Sequence, residues 1–205
     1  MYPAKPGILI GFHGCDKKVR DAIVDQQSMM QESKKDYNWL GAGMYFWENN
    51  PDRAFNFAEE LRLRPQKGKD LIGESAVLGA VIDLGLCLDL LEKEHIELVK
   101  QSFSTLEASY TSLELKLPRN LPAGNSRDLL LRKLDCAVIE NLHHYRKRNK
   151  LRPFDSVRGV FIEGDPVYKT AGFYEKSHIQ LCIRNPNCIK GFFKRRQEDK
   201  GWIIP

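Results

Sequence analysis

The sequence predicts a single α+β domain, on three observations. Short β-rich apolar runs alternate with longer runs of helical period through the 205 residues. A hydrophobic content of 42% is enough for one sizeable core. No internal repeat, low-complexity segment or linker divides the chain.

Each element has a local reason. Gly7 to Phe12 (GILIGF) is a β-rich run that delivers His13-Gly14 at its end. Asp16 caps a short amphipathic helix with Val19, Ile23 and Val24 on its buried face. Gln26 to Asp36 is polar and reads as a loop. Met44 to Trp47 reads as a short strand after Gly41 and Gly43, which allow a tight turn or close approach to a ligand. Asn50, Pro51 and Asp52 combine a side-chain cap, a first-turn proline and an acid at the dipole's positive end. Ala54, Phe57, Ala58 and Leu61 continue that helix, and Leu63 to Glu74, with Pro65 and Gly68, reads as an exposed basic loop.

Ala76 to Leu84 is the strongest buried-strand signal. Cys87 to Tyr110 has helical period, with Leu91, Leu98, Phe103, Leu106 and Tyr110 near one face. Leu117 to Asn125, with two prolines and a glycine, is a connection. Ser126 is the expected cap of a helix carrying Leu131, Leu134, Val138, Leu142 and Tyr145 on one face. That helix ends in Arg146-Lys147-Arg148, cations suited to the negative end of its dipole. Val157 to Ile162 is a strand, and Gly164 to Ser177 is a loop bearing glycines and aromatics. His178 to Arg184 alternates as a strand, Asn185-Pro186-Asn187 turns, and Cys188 to Phe193 is the last strand.

The bulk numbers narrow the function classes. A net charge of +5, with a pI near 8.9, fits partners bearing phosphate without requiring them. Five cysteines without a CxxC pair read as reduced, packed thiols, which points to a reducing compartment and away from zinc or a disulfide framework. The N-terminus has no cleavable-signal pattern, and no stretch approaches the ~20 apolar residues of a membrane span. A cytoplasmic protein is expected, with delivery by a dedicated secretion machine still open. Adjacent His143 and His144 point in different directions on a helix and make no metal motif.

Tyr37 to Glu60 gathers Trp39, Tyr45, Phe46, Trp47, Phe55 and Phe57 around two glycines. Such a stretch is either plain core or the wall of a cleft for a flat ring. Three features decide between them when taken in order: His13-Gly14 at a strand end, Gly41-Ala42-Gly43-Met44-Tyr45-Phe46 before a helix, and the late loop and strand from Gly164 to Arg184. Together they resemble the ADP-ribosyltransferase superfamily, on the branch shared by poly(ADP-ribose) polymerases and diphtheria toxin. The resemblance implies two packed, mainly antiparallel sheets around an NAD cleft, with flanking helices. It implies NAD as co-substrate, no metal, no membrane, and a macromolecular acceptor that is protein rather than nucleic acid.

The resemblance assigns His13 to a ribose hydroxyl, Gly14 to backbone bonds with the nicotinamide amide, and Tyr45 to stacking on nicotinamide. Its transition state is oxocarbenium-like, so orientation and preorganised electrostatics matter more than proton transfer. Gln180 falls where the family usually has glutamate. An amide can hold a hydroxyl but cannot act as a base or offset positive charge. That implies mono-ADP-ribosylation or slow NAD hydrolysis rather than polymer elongation. Glu175 and Glu163 are the nearby carboxylates that could compensate, Glu175 the better placed because the family's target-recognition loop lies there, and each taken singly reads first as a solvated surface acid. Arg53 and Asn56 fall where the polymerases carry a serine and a second stacking tyrosine. The competing readings are a catalytically weak NAD- or ADP-ribose-binding module, an RNA 2′-phosphotransferase-like enzyme, and a non-enzymatic nucleic-acid binder. Tyr145 to Arg152, with Lys190, Lys194, Arg195 and Arg196, is a basic surface for a diphosphate or nucleic acid, or simply a solvated one.

Overall fold

Strand β1 (Leu9–Asp16) is the axis of the molecule, paired along its whole length with β3 (Ser75–Ile82). The computed structural model describes residues 7–64, 71–123 and 128–203. Asp16 ends β1 and accepts the Lys18 N–H, opening helix α1 (Lys17–Val24). After the polar loop come β2 (Met44–Glu48) and α2 (Pro51–Leu63), whose cap is Asn50 Oδ1 on the Arg53 N–H at 3.0 Å. Beyond β3 lie β4 (Cys87–Asp89), α3 (Lys93–Ser112), a small ribbon of β5 (Asn120–Leu121) with β6 (Leu131–Arg132), and α4 (Lys133–Arg148). β7 (Ser156–Phe161), β8 (His178–Ile183) and β9 (Ile189–Lys194) complete the sheet.

The main sheet has seven strands in the order β4-β7-β8-β2-β1-β3-β9, antiparallel except for β4 with β7. The α+β class expected from the sequence is therefore what the chain forms. The finer expectation of two packed sheets is not: strand pairing runs unbroken across the molecule. The reason is local. β1 and β2 share two residue pairs, Gly11 with Glu48 and Phe12 with Trp47, which keep the halves joined before the strands part.

Alternation along β2 splits the core. Met44 and Phe46 enter one cluster with Ala80, Ile82, Leu181 and Ile183. Tyr45, on the opposite side, packs on a second cluster with Leu40, Ile139, Leu142 and Cys182. Trp47 sits with Phe12 beneath Ala54 of α2. Phe46 is fully buried, a contribution of about 2–3 kcal/mol from removing its ring from water.

Other expectations are corrected by packing. Val19 is 48% exposed, because the short helix α1 buries its last turn, through Ile23, rather than its first. Cys87 to Asp89 is a strand, since it finds the edge of β7; helix begins only at Lys93. Tyr145 is exposed, whereas Val138 and Leu142 are buried as expected. Ser126 lies outside the described residues, and α4 starts at Lys133, without a side-chain cap bond. The basic loop from Leu63 is helix at its first residue and lies partly outside the described residues.

None of the five cysteines is joined in a disulfide, and four are buried. Burial pushes Cys15 and Cys136 up to about 11 and Cys182 up to about 12, so none of these three is a thiolate near neutrality.

His143 of α4 is buried, and neither ring nitrogen has a hydrogen-bond partner. Burial first, then the charge of Arg184, lowers its pKa to about 4. An unfolded histidine titrates near ~6.5, so between these values the unfolded chain takes up a proton that the folded chain refuses. Stability is therefore expected to fall as pH drops from 6.5 towards 4. Urea unfolding of wild type and His143→Leu across that window checks it, the variant showing the shallower slope.

Candidate active site

The parting of β1 and β2 makes the site. Beyond Phe12 and Trp47 the ladder stops, and the His13 ring crosses the gap instead, donating Nδ1–H to the Tyr45 carbonyl at 2.8 Å. Burial lowers the His13 pKa, so the ring is neutral and Nε2 keeps a lone pair. Strand alternation turns the Gly14 peptide groups to the same side as the Ile10 carbonyl, which still takes the Asn49 N–H from beyond β2. Gly14 thus presents its backbone towards the parting, while its other face lies under α2. A Cβ there would meet the Ala54 carbonyl oxygen at 2.0 Å.

Tyr45 has two jobs. Its hydroxyl donates to the Gly41 carbonyl at 2.7 Å and accepts the Leu40 N–H at 3.2 Å. Burial raises its pKa, and both hydrogen-bonding capacities are used, so the phenol is neither acid nor base here. The turn it pins is held from behind. Glu140 of α4 accepts the Ala42 N–H at 2.7 Å and pairs with Arg184 at 2.6 Å. Gly41 takes a left-handed φ of 83°, and a Cβ would fall 2.5 Å from Glu140 Oε1.

Gln180 lies on β8 opposite Trp47. Trp39 donates its indole N–H to Gln180 Oε1 at 2.5 Å, which fixes the amide rotamer and leaves the NH₂ as the group on offer. His13, Tyr45, Trp39 and Gln180 all line one cleft of about 1270 Å³, larger than the roughly 300–1,000 Å³ of an ordinary small-molecule pocket. The three positions read from the sequence as catalytic, at residues 13, 45 and 180, therefore line the same cleft.

One wall of the cleft is a row of rings. Trp39 meets Phe161 edge-on at 5.2 Å, Phe161 stacks on His178 at 5.5 Å, and Trp47 lies 5.9 Å from His178 and 5.0 Å from Phe57. Two guanidinium groups lie over them, Arg132 at 4.4 Å from Phe161 and Arg53 at 5.9 Å from Trp47. Phe57 faces the cleft, whereas Phe55 and Asn56 face solvent.

The two candidate carboxylates separate. Glu175 is exposed and does not line the cleft. Glu163 does, but it is paired with Arg53 at 2.8 Å, the two side chains only 12% and 8% exposed. The basic groups expected to meet a phosphate lie elsewhere. Lys194 pairs with Asp21 and Arg195 with Asp52, while Arg146 bonds the Arg152 carbonyl. The cleft's own cations are Lys35, Arg53, Arg64 and Lys176. Among the described residues no cluster of His, Cys, Asp or Glu could hold a metal, and no helix is long and apolar enough to cross a membrane.

Sequence reasoning missed His178 as a wall residue, and it named Trp39 and Glu163 without the partners that hold them. For His178 a signal existed: strand alternation places it on the same face as Gln180. The bonds of Trp39 to Gln180 and of Glu163 to Arg53 form by tertiary packing, and no spacing announces them.

No known family model matches the chain, and no solved structure matches it. An uncharacterized protein of the archaeon Methanocaldococcus jannaschii is 24% identical over 195 residues, covering 87% of this chain and 83% of the relative. The similarity thus runs through most of both chains.

Proposed function

We propose that the chain is an NAD-dependent mono-ADP-ribosyltransferase acting on a macromolecular acceptor, protein rather than nucleic acid. The observation that carries this reading is the placement of His13, Tyr45 and Gln180 along one cleft, with His13 and Tyr45 at the parting of two strands. The cleft also fits the dinucleotide in kind, offering ring faces, a neutral imidazole acceptor, an amide donor and cations. NAD supplies an ADP-ribosyl group on a bond to nicotinamide, which breaks with its electron pair going to the ring nitrogen.

The protein's part is to hold and orient. Tyr45 offers a ring face for nicotinamide. His13 Nε2 accepts from one ribose hydroxyl, and the Gln180 NH₂ donates to a hydroxyl oxygen, so the diol is gripped with both polarities matched. No residue of this set adds negative charge beside the reacting carbon, which makes turnover slow and single transfers the expected outcome.

Tyr45 separates ring from hydroxyl. Tyr45→Ala is expected to weaken NAD binding by about 1–3 kcal/mol, by comparison with base–aromatic stacking. Tyr45→Phe keeps the ring and should bind NAD normally, while losing about 1–3 kcal/mol of stability because the Gly41 carbonyl and Leu40 N–H lose their partner. Calorimetric titration and urea unfolding of both variants check this.

The activity is tested by incubating the protein with labelled NAD and a cell lysate, then separating protein from nucleic acid. Label in the protein fraction is the expected result. A second reading, a binding module without turnover, is favoured by the neutral Gln180 and by Arg53 holding Glu163. It predicts NAD binding with neither label transfer nor nicotinamide release. Failure to bind NAD at all overturns both.

A further inference from the structure

We propose that a second cavity, behind the turn that precedes β2, is a binding site for a small organic phosphate. It has a volume of about 470 Å³, within the roughly 300–1,000 Å³ of ordinary small-molecule pockets. The chain segment 33–43 is the wall between it and the cleft. Lys34, Asp36 and Ala42 of that segment line the second cavity, whereas Ser33, Tyr37, Asn38 and Trp39 line the cleft. Lys35 borders both. The opposite wall is the start of α4, through Lys133, Ala137 and Glu140, and Tyr110 of α3 and Pro118 complete the lining.

Charge selects an anion. The carboxylate of Glu140 is met by Arg184 at 2.6 Å and by the Ala42 N–H at 2.7 Å. That leaves three lysines on the wall against Asp36 alone. Lys35 has no acidic partner among the described residues, and its ammonium lies 5.7 Å from the centre of the Tyr37 ring. Lys133 pairs with Asp36 at 2.6 Å and Lys34 with Glu32 at 3.2 Å, but all four side chains are exposed. Exposed pairs of this kind contribute at most about 1 kcal/mol, so an entering anion takes the lysines at little cost.

The remaining groups narrow the anion. Tyr110 has no hydrogen-bond partner among the described residues, so its hydroxyl is a donor on offer. Three ammonium groups and a phenol outnumber the two oxygens of a carboxylate. A phosphate monoester presents three acceptor oxygens and a charge of about −1.5 to −2 near neutral pH, and lysines bind it as point charges. Beside these groups Ala42, Pro118, Ala137 and the Tyr110 ring are apolar, which suits a flat body carried by the phosphate. Occupancy also has a structural consequence. Ser33 and Gly43 exchange backbone bonds of 2.9 and 3.1 Å, closing the shared wall on itself. A phosphate that joins Lys35 to Lys133 ties this wall to α4.

The test titrates the isotope-labelled full chain with phenyl phosphate and follows amide chemical shifts. Saturable shifts are expected at residues 34–36, 42 and 133–140. Phenyl phosphate should bind about tenfold tighter than either phenol or inorganic phosphate, and about threefold tighter than benzoate. Ala137→Glu sets an acid against the lysines and should weaken phenyl phosphate about tenfold, while Lys133→Ala should weaken it about threefold. Shifts centred instead on Trp47, Phe57 and Phe161 would put the ligand in the cleft and overturn the proposal. So would phenol or benzoate binding as tightly as phenyl phosphate, or no saturable shift. Should Ala137→Glu not fold, Lys133→Ala, at an exposed side chain, decides with the ligand series. NAD takes no part in these readings, so this site and the transferase reading stand or fall separately.

Discussion

Replacing Gln180 with alanine is expected to lower ADP-ribosyl transfer, or NAD hydrolysis, by about 10²–10³-fold, the loss typical of one preorganised donor. The amide is held rather than merely nearby. Trp39 occupies Oε1 at 2.5 Å, so the NH₂ is already oriented before any ligand arrives. Gln180→Glu is expected to preserve or raise the rate. Its carboxylate still accepts the Trp39 N–H, and it adds the negative charge that the developing cation lacks. Trp39→Phe leaves Gln180 in place but frees its amide to turn, so kcat should fall more than KM rises. Glu175→Ala should impair transfer to the acceptor more than NAD binding, because that exposed carboxylate lies outside the cleft. Steady-state rates, with NAD affinity measured separately, distinguish these outcomes. Unchanged activity in Gln180→Ala would mean that the late strand has been assigned wrongly, and the missing group would then be sought at Glu163 or Glu175.

Gly14→Ala is expected to be the most damaging glycine-to-alanine change among the described residues, costing about 3 kcal/mol or more, at the upper end of overpacking effects. The added carbon would lie 2.0 Å from the Ala54 carbonyl oxygen, an atom of helix backbone that cannot rotate away. Relief requires α2 to lift from β1, carrying Arg53 and Phe57 with it. Stability and NAD affinity should therefore fall together. Gly172→Ala is the matched control, since its Cβ meets nothing within 4 Å, and a surface change of that kind stays within about 0.5 kcal/mol. Urea midpoints for the pair, with m-values to confirm two-state unfolding, read the difference directly.

Local chemistry was legible in the sequence wherever a short-range rule governed it. The Asp16 and Asn50 caps, the β2 strand after its glycine turn and the buried run of β3 all follow from neighbours in the chain. What was not legible depends on distant partners. Cys87 to Asp89 is a strand because β7 offers it an edge, and Val19 is exposed because α1 docks by its far end. The site divides likewise. His13, Tyr45 and Gln180 sit at motif positions, and all three line the cleft. Arg53, Glu163 and Trp39 matter through a pairing across 110 residues and a bond across 141, and no local spacing encodes either. Gly14 shows a subtler gap: its lack of a side chain is required by a helix on one side, whatever the backbone does on the other.

The two residue pairs between β1 and β2 also make the sheet a book with a narrow spine. On one leaf are β4, β7, β8 and β2; on the other, β1, β3 and β9. Tearing along the spine breaks far fewer backbone bonds than parting β1 from β3, which are paired over eight residues. Partial opening should therefore begin there. A molecule lodged at the parting touches both leaves and works as a clasp, so part of its affinity reappears as resistance of the whole sheet to rupture.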